Sequence, residues 1–188
     1  EVLPKARFVY LIRDGRDVVA SAMRRWTASL DLRYSLRKAR FVPIADLPYY
    51  GARFLANRLY RLLSSERRVR TWGPRFEGMD EQVRTLGLAG VCALQWKRSV
   101  ASAEDGLRDV ASDRVVRVRY EEFVGDPDSH LQAITDSLDL RVTTSMLSDQ
   151  ARRVSSESVG KWKTSLSDRD CDAVMATAGE MLRTLDYV

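Results

Sequence analysis

Histidine and cysteine are scarce in this chain. It holds one histidine, His130, and two cysteines, Cys92 and Cys171, among 188 residues. A single histidine and two cysteines in no ligand spacing exclude a Cys/His zinc site and a disulfide framework. Long hydrophobic runs are missing as well, and none approaches the ~18 residues that read as a membrane span. The opening Glu1-Val2-Leu3-Pro4-Lys5 has neither the basic start nor the apolar stretch of a secretory signal, and no initiator Met. The expectation is a piece of a longer chain, cytoplasmic, with any upstream targeting signal out of view. Internal repeats and low-complexity tracts are also lacking, which removes solenoids and disordered tails from consideration.

What is present fits one globular domain over residues 1–188, since 45% of residues are hydrophobic and 30% charged. The net charge of +5 is unevenly placed. Residues 30–86 hold 12 Lys/Arg against 6 Asp/Glu, or +6, and the remainder 19 against 20, or −1. Arginine outnumbers lysine 26 to 5. The planar guanidinium fork suits phosphate, sulfate and carboxylate. Composition alone leaves three readings open: a solvated basic surface, a nucleic-acid-binding domain, or a site for a compact anion.

Arg7-Phe8-Val9-Tyr10-Leu11-Ile12 is a nearly continuous apolar run, the pattern of a parallel strand interior to a sheet and buried on both faces. After Arg13-Asp14-Gly15-Arg16-Asp17, residues Val18, Val19, Ala22, Met23 and Trp26 fall at helical spacing. Asp14 suits the N-cap, and Asp17 three residues on completes a capping-box spacing. Residues 30–86 carry turn signals and scattered aromatics, with a helix expected from about Pro48 to Ser65, and read as a basic insertion within the domain. A helix is expected from Leu88 to Val110 and a second strand at Arg114–Tyr120. Asp126-Pro127 opens another helix. The last helix begins at Ser167, with Asp170 at its third position and Cys171, Val174, Met175, Ala178, Met181, Leu182 and Leu185 in one stripe. Strands alternating with helices predict an α/β fold with a parallel sheet flanked by helices.

Arg13 ends the first predicted strand, where open parallel sheets bind ligands. Ser21 lies two turns into the next helix, and Arg25 shares its face four residues on. The three side chains can converge on one compact dianion; equally, the segment can be a capped helix start with a solvated polar face.

Leu11-Ile12-Arg13-Asp14-Gly15-Arg16-Asp17-Val18-Val19-Ala20-Ser21 resembles the 3′-phosphate-binding segment of sulfotransferases that use 3′-phosphoadenylyl sulfate (PAPS). In that family an Arg at a strand end and a Ser eight residues later hold the 3′-phosphate. The Arg-Asp-Gly-Arg variant resembles the bacterial and tyrosylprotein members, in which an Arg matching Arg25 joins them. Val118-Arg119-Tyr120-Glu121-Glu122-Phe123 with Asp126-Pro127 resembles the R-Y-E-D-[FL]-x-x-[DN]-P stretch, whose Tyr contacts the nucleotide. Ser155-Ser156-Glu157-Ser158-Val159-Gly160-Lys161-Trp162-Lys163 resembles the loop that closes over it.

The resemblance implies a fold related to P-loop kinases and transfer of a sulfuryl group from PAPS to an acceptor hydroxyl or amine, leaving adenosine 3′,5′-bisphosphate (PAP). The acceptor class is a small molecule, carbohydrate or peptide, with no nucleic-acid partner and no metal. It also implies nucleotide contacts from Arg13, Ser21, Arg25, Tyr120, Arg153, Ser155, Gly160 and Lys161. Two departures stand out. Ser155-Ser156-Glu157 replaces the Arg-Lys-Gly of the cytosolic enzymes, and no segment matches the loop that cradles the 5′-phosphosulfate. That loop and the catalytic base are expected upstream of Glu1, so the catalytic residues are not assigned. His130 reads as a surface helical histidine. A module that holds PAP without turnover is the alternative function, ahead of a basic nucleic-acid-binding domain.

Overall fold

Two five-residue strands, β1 (Phe8–Ile12) and β2 (Val115–Arg119), lie side by side in parallel, with Phe8 opposite Val115 and Ile12 opposite Arg119. This is a computed structural model, and it describes residues 5–27 and 72–188, together with Pro48, Tyr49, Gly51, Ala52, Leu55, Ala56 and Leu59. The chain divides into two units, residues 1–20 with 78–188, and residues 21–77.

The first unit holds both strands. The helix α1 (Gly15–Thr27) follows β1 and continues past Ala20 into the second unit. Asp14 caps it as its sequence position implies: Oδ1 accepts from the Arg16 amide at 2.9 Å. Val19, Ala22 and Trp26 form its buried stripe. The long helix α2 (Met79–Leu107) is two limbs meeting at Gly87, whose φ of 70° and ψ of 177° break the helical path. The periodicity starting at Leu88 is the second limb; the turns before Gly87 precede the helix that the sequence predicts. After β2 come α3 (Tyr120–Gly125), α4 (Pro127–Ser137), α5 (Thr144–Ala151), the short α6 (Trp162–Ser165) and α7 (Asp168–Thr184).

The core of this unit lies between α2 and α7. Val91, Cys92, Val174, Ala178 and Leu182 are all buried there. Each fully buried Val or Leu contributes about 1.5–3 kcal/mol. The stripe read from the sequence of α7 is the face that packs. Burial pushes the Cys92 thiol up to about 12, which leaves it a small apolar residue without nucleophilic character.

The sheet differs from expectation in two respects. β1 alternates: Phe8, Tyr10 and Ile12 are half-buried, while Val9 and Leu11 are 42% and 53% exposed. Among the described residues β1 pairs with β2 alone, so an interior strand buried on both faces is not seen. A continuous apolar run marks two faces suited to burial; whether each is covered depends on elements remote in sequence. The architecture observed is mixed α/β with a small parallel sheet.

In the second unit the described residues are the end of α1, isolated helical residues from Pro48 to Leu59, and residues 72–77. Most of the helix expected over 48–65, and most of the basic insertion at 30–86, lie outside the described residues.

Candidate functional site

Parallel pairing brings the C-terminal ends of β1 and β2 to one end of the sheet, so the residues following each strand are neighbours. Arg13 and Asp14 follow β1; Tyr120 and Glu121 follow β2. The Arg13 guanidinium lies over the Tyr120 ring, 4.4 Å from its centroid. Such stacking supplies cation–π attraction and fixes the plane of the fork. Arg13 Nη2 also pairs with Asp17 Oδ2 at 3.5 Å and donates to the Ser158 carbonyl. Its Nε is buried and has no partner among the described residues.

The segment at 158–162 is tied to the same place. The Ser158 hydroxyl and the Tyr120 hydroxyl are hydrogen-bonded at 2.8 Å. The Gly160 amide donates to Asp17 Oδ2 at 2.8 Å, and the Trp162 amide to Asp17 Oδ1 at 2.9 Å. Gly160 has a φ of 69°, in the left-handed region where a side chain is strained. That turn aims both amides at one carboxylate.

Asp17 does not close the capping box that its spacing predicts. The Asp14 amide, which a capping box would satisfy from Asp17, instead donates to Glu121 Oε1 at 3.0 Å. Glu121 Oε2 accepts from the Tyr187 hydroxyl at 3.1 Å. Tyr187 in turn lies beneath the Arg119 guanidinium, and its carbonyl accepts from Arg16 Nη2 at 2.6 Å. Burial and the neighbouring Glu121 carboxylate raise the Tyr187 hydroxyl above its ordinary value. Arg16 is thereby occupied by Asp14, Tyr187 and the Trp162 face, 4.2 Å away. Of the two arginines in Arg13-Asp14-Gly15-Arg16, the second is a brace.

Gly15 is explained by packing. A Cβ there would sit 2.7–2.9 Å from the Trp96 ring, so only hydrogen fits between the start of α1 and α2.

The residues read from the sequence are distributed as follows. Arg13, Tyr120 and Gly160 belong to one cluster in the first unit. Arg153, Ser155 and Lys161 are exposed, and the Ser155 hydroxyl accepts from the Glu157 amide at 3.3 Å. Ser21, half-buried, and Arg25, exposed, share one face of α1 in the second unit. His130 Nδ1 lies 2.9 Å from the Asp126 carbonyl one turn earlier, and its ring stands edge-on to Phe123. It is a partly exposed residue of α4, close to the surface helical histidine that the sequence predicts. Asp17, Ser158, Glu121 and Tyr187 escape the sequence reading as members of the cluster. The loop containing Ser158 is legible as a segment, but nothing in its spacing singles out that serine. Among the described residues, no group of His, Cys, Asp and Glu is arranged to hold a metal ion, and no helix is long and apolar enough to cross a membrane.

No curated protein and no solved structure matches the chain. Residues 57–144, just under half of it, match the family model described as Sulfotransferase family. That stretch contains α2, β2 and the Arg119-Tyr120-Glu121 segment, and leaves Arg13–Arg25 and Ser155–Lys163 outside. The match agrees with the resemblance carried by the motifs, and the family to which this part of the chain is similar is that of the sulfotransferases.

Proposed function

We propose that the protein is a PAPS-dependent sulfotransferase, and that the end of the sheet at Arg13 and Tyr120 holds the 3′-phosphate side of the nucleotide. One observation carries the reading. The three segments that resemble the family's nucleotide-binding motifs, the first of them more than a hundred residues before the other two, meet through Arg13, Tyr120 and Ser158. A guanidinium stacked on a ring, with a buried Nε still unpaired, fits a phosphate oxygen in the plane of the fork. By resemblance, Ser21 and Arg25 are phosphate-binding residues, and Lys161 closes over the nucleotide. The fold is then P-loop-kinase-like, and PAPS supplies the transferable sulfuryl group. This chain's residues bind and orient it, which is the larger part of catalysis when a reaction proceeds by in-line transfer. The +6 balance of residues 30–86 suits an acidic or carbohydrate acceptor.

The test compares two adjacent arginines. Arg24 and Arg25 are chemically identical and both exposed, yet they point about 100° apart on a helix of 3.6 residues per turn. Calorimetry with PAP should show Arg25→Ala losing about 1.5–3 kcal/mol of binding, the scale of a hydrogen bond to a charged group. Arg24→Ala should lose less than about 0.5 kcal/mol, as a surface change does. Arg13→Ala should lose at least as much as Arg25→Ala. With adenosine 5′-phosphate in place of PAP, the difference between the Arg25 and Arg24 variants should vanish. Equal losses from both, or equal affinity of the parent for both nucleotides, refute the assignment. A sulfuryl-transfer assay with PAPS then separates an enzyme from a module that only holds PAP.

A further inference from the structure

Asp17 is the least exposed acid of the strand-end cluster, with 1% of its side chain accessible. Its two oxygens accept from two amides of one remote segment, Gly160 and Trp162, while Oδ2 also faces Arg13. A buried carboxylate costs several kcal/mol in lost solvation unless such donors replace water. The same segment presents Ser158 to both Arg13 and Tyr120. The segment is therefore fixed at both ends: by Asp17 at Gly160 and Trp162, and by the anion-facing pair at Ser158.

We propose that Asp17 is a positioning residue for the nucleotide site, a latch that holds the 158–162 segment against Arg13 and Tyr120 so that the bound phosphate is enclosed. The proposal rests on the nucleotide reading above and adds a residue that does not itself touch the ligand. It makes a prediction opposite in sign to simple electrostatics. Were Asp17 only a counter-charge competing with the ligand for Arg13, neutralising it would strengthen anion binding. As a latch, its loss weakens binding, because the ligand must then order the segment itself.

The experiment measures PAP affinity by calorimetry, and amide hydrogen exchange at Gly160 and Trp162, in the intact chain and in Asp17→Asn and Asp17→Ala. The asparagine variant retains one acceptor and loses the charge. Its PAP affinity should fall about tenfold, the equivalent of one hydrogen bond, and that of the alanine variant further. Exchange at Gly160 and Trp162 should accelerate while the β1 and α7 amides keep their protection. PAP should slow exchange at these two amides in the parent and do so less in the variants, a response that a purely structural role for Asp17 does not produce. Unchanged or tighter PAP binding by Asp17→Asn overturns the latch and leaves the nucleotide reading standing. A parent that does not bind PAP overturns the nucleotide reading and the latch with it. If the Asp17 variants fail to fold, Gly160→Ala decides. It strains the left-handed turn that aims the Gly160 amide, with a Cβ that meets open space and with the Asp17 carboxylate left intact, and should weaken PAP binding in the same direction; unchanged affinity there overturns the latch.

Discussion

The starts of α1 and α7 share one sequence pattern and use it differently. At α7, Ser167 and Asp170 satisfy each other: the Ser167 hydroxyl accepts from the Asp170 amide at 3.2 Å, and Asp170 Oδ2 accepts from the Ser167 amide at 3.4 Å. The box is complete within four residues. At α1, Asp14 and Asp17 stand at the same spacing, but the reciprocal half is absent. Glu121 takes the Asp14 amide, and Asp17 turns to Gly160 and Trp162. A helix start that is closed locally has no polar capacity left for other segments. One that is left open locally becomes the point where distant segments are tied together, and in this chain the tied segments are those of the candidate site.

The sharpest way to break this comparison is to remove the two acids at equivalent positions. Asp17→Ala leaves two amides without an acceptor and Arg13 without its counter-charge, and should cost about 3–5 kcal/mol in urea unfolding. Asp170→Ala should cost about 0.5–1 kcal/mol, the worth of a local cap. Equal losses would mean that the α1 start is an ordinary cap.

Glycine-to-alanine exchanges come next. Gly15→Ala pushes a methyl into the Trp96 ring and should destabilise by about 1–3 kcal/mol. Gly179→Ala, within α7, meets the ends of two flexible side chains, Met175 at 3.3 Å and Arg183 at 3.6 Å, and gains helix propensity, so the two effects should nearly cancel, within about 0.5 kcal/mol. Thermal unfolding of the two variants side by side reads the difference.

A smaller effect tests the brace on Glu121. Tyr187→Phe removes the donor to Glu121 Oε2 and should cost about 1 kcal/mol. The same hydroxyl gives a pH dependence. Its value is raised above the ordinary 10.0, so the folded state favours the protonated form. The contribution is full below pH 10 and is lost as the pH rises beyond it, once the unfolded chain can ionise and the folded chain resists. Tyr10, pushed up to about 12 chiefly by burial, adds in the same direction. Urea midpoints measured from pH 8 to 12 should fall above pH 10, and fall less steeply in Tyr187→Phe. The smallest effect belongs to exposed local bonds. Gln132→Ala, which removes a one-turn hydrogen bond to Asp136 on α4, should change stability by less than about 0.5 kcal/mol.

Local order was legible wherever neighbouring residues were enough to specify it. The α7 stripe, its Ser167 cap, the Asp126-Pro127 helix start and the two strands all appear within a residue or two of where their patterns place them. The family resemblance was legible too, because its motifs are short and continuous. Their meeting was not. Arg13 and Tyr120 were readable as residues of interest, but Ser158 was passed over for Ser155, since hydroxyls three residues apart in a loop look alike until the turn at Gly160 is built.

The sequence by itself determined the two strands and the starts of α1, α4 and α7, and it offered side chains of a type able to bind an anion. These follow from spacing, turn residues and side-chain type, all of them properties of a few consecutive positions. Only the tertiary structure decided that Val9 and Leu11 remain exposed, that Gly15 makes room for Trp96, and that Asp17 serves a segment over 140 residues away instead of its own helix. The physical reason is the same in each case. Burial and hydrogen bonding are settled by whichever group arrives from elsewhere in the chain, and a carboxylate shielded from water bonds to the best donors that the fold brings within reach.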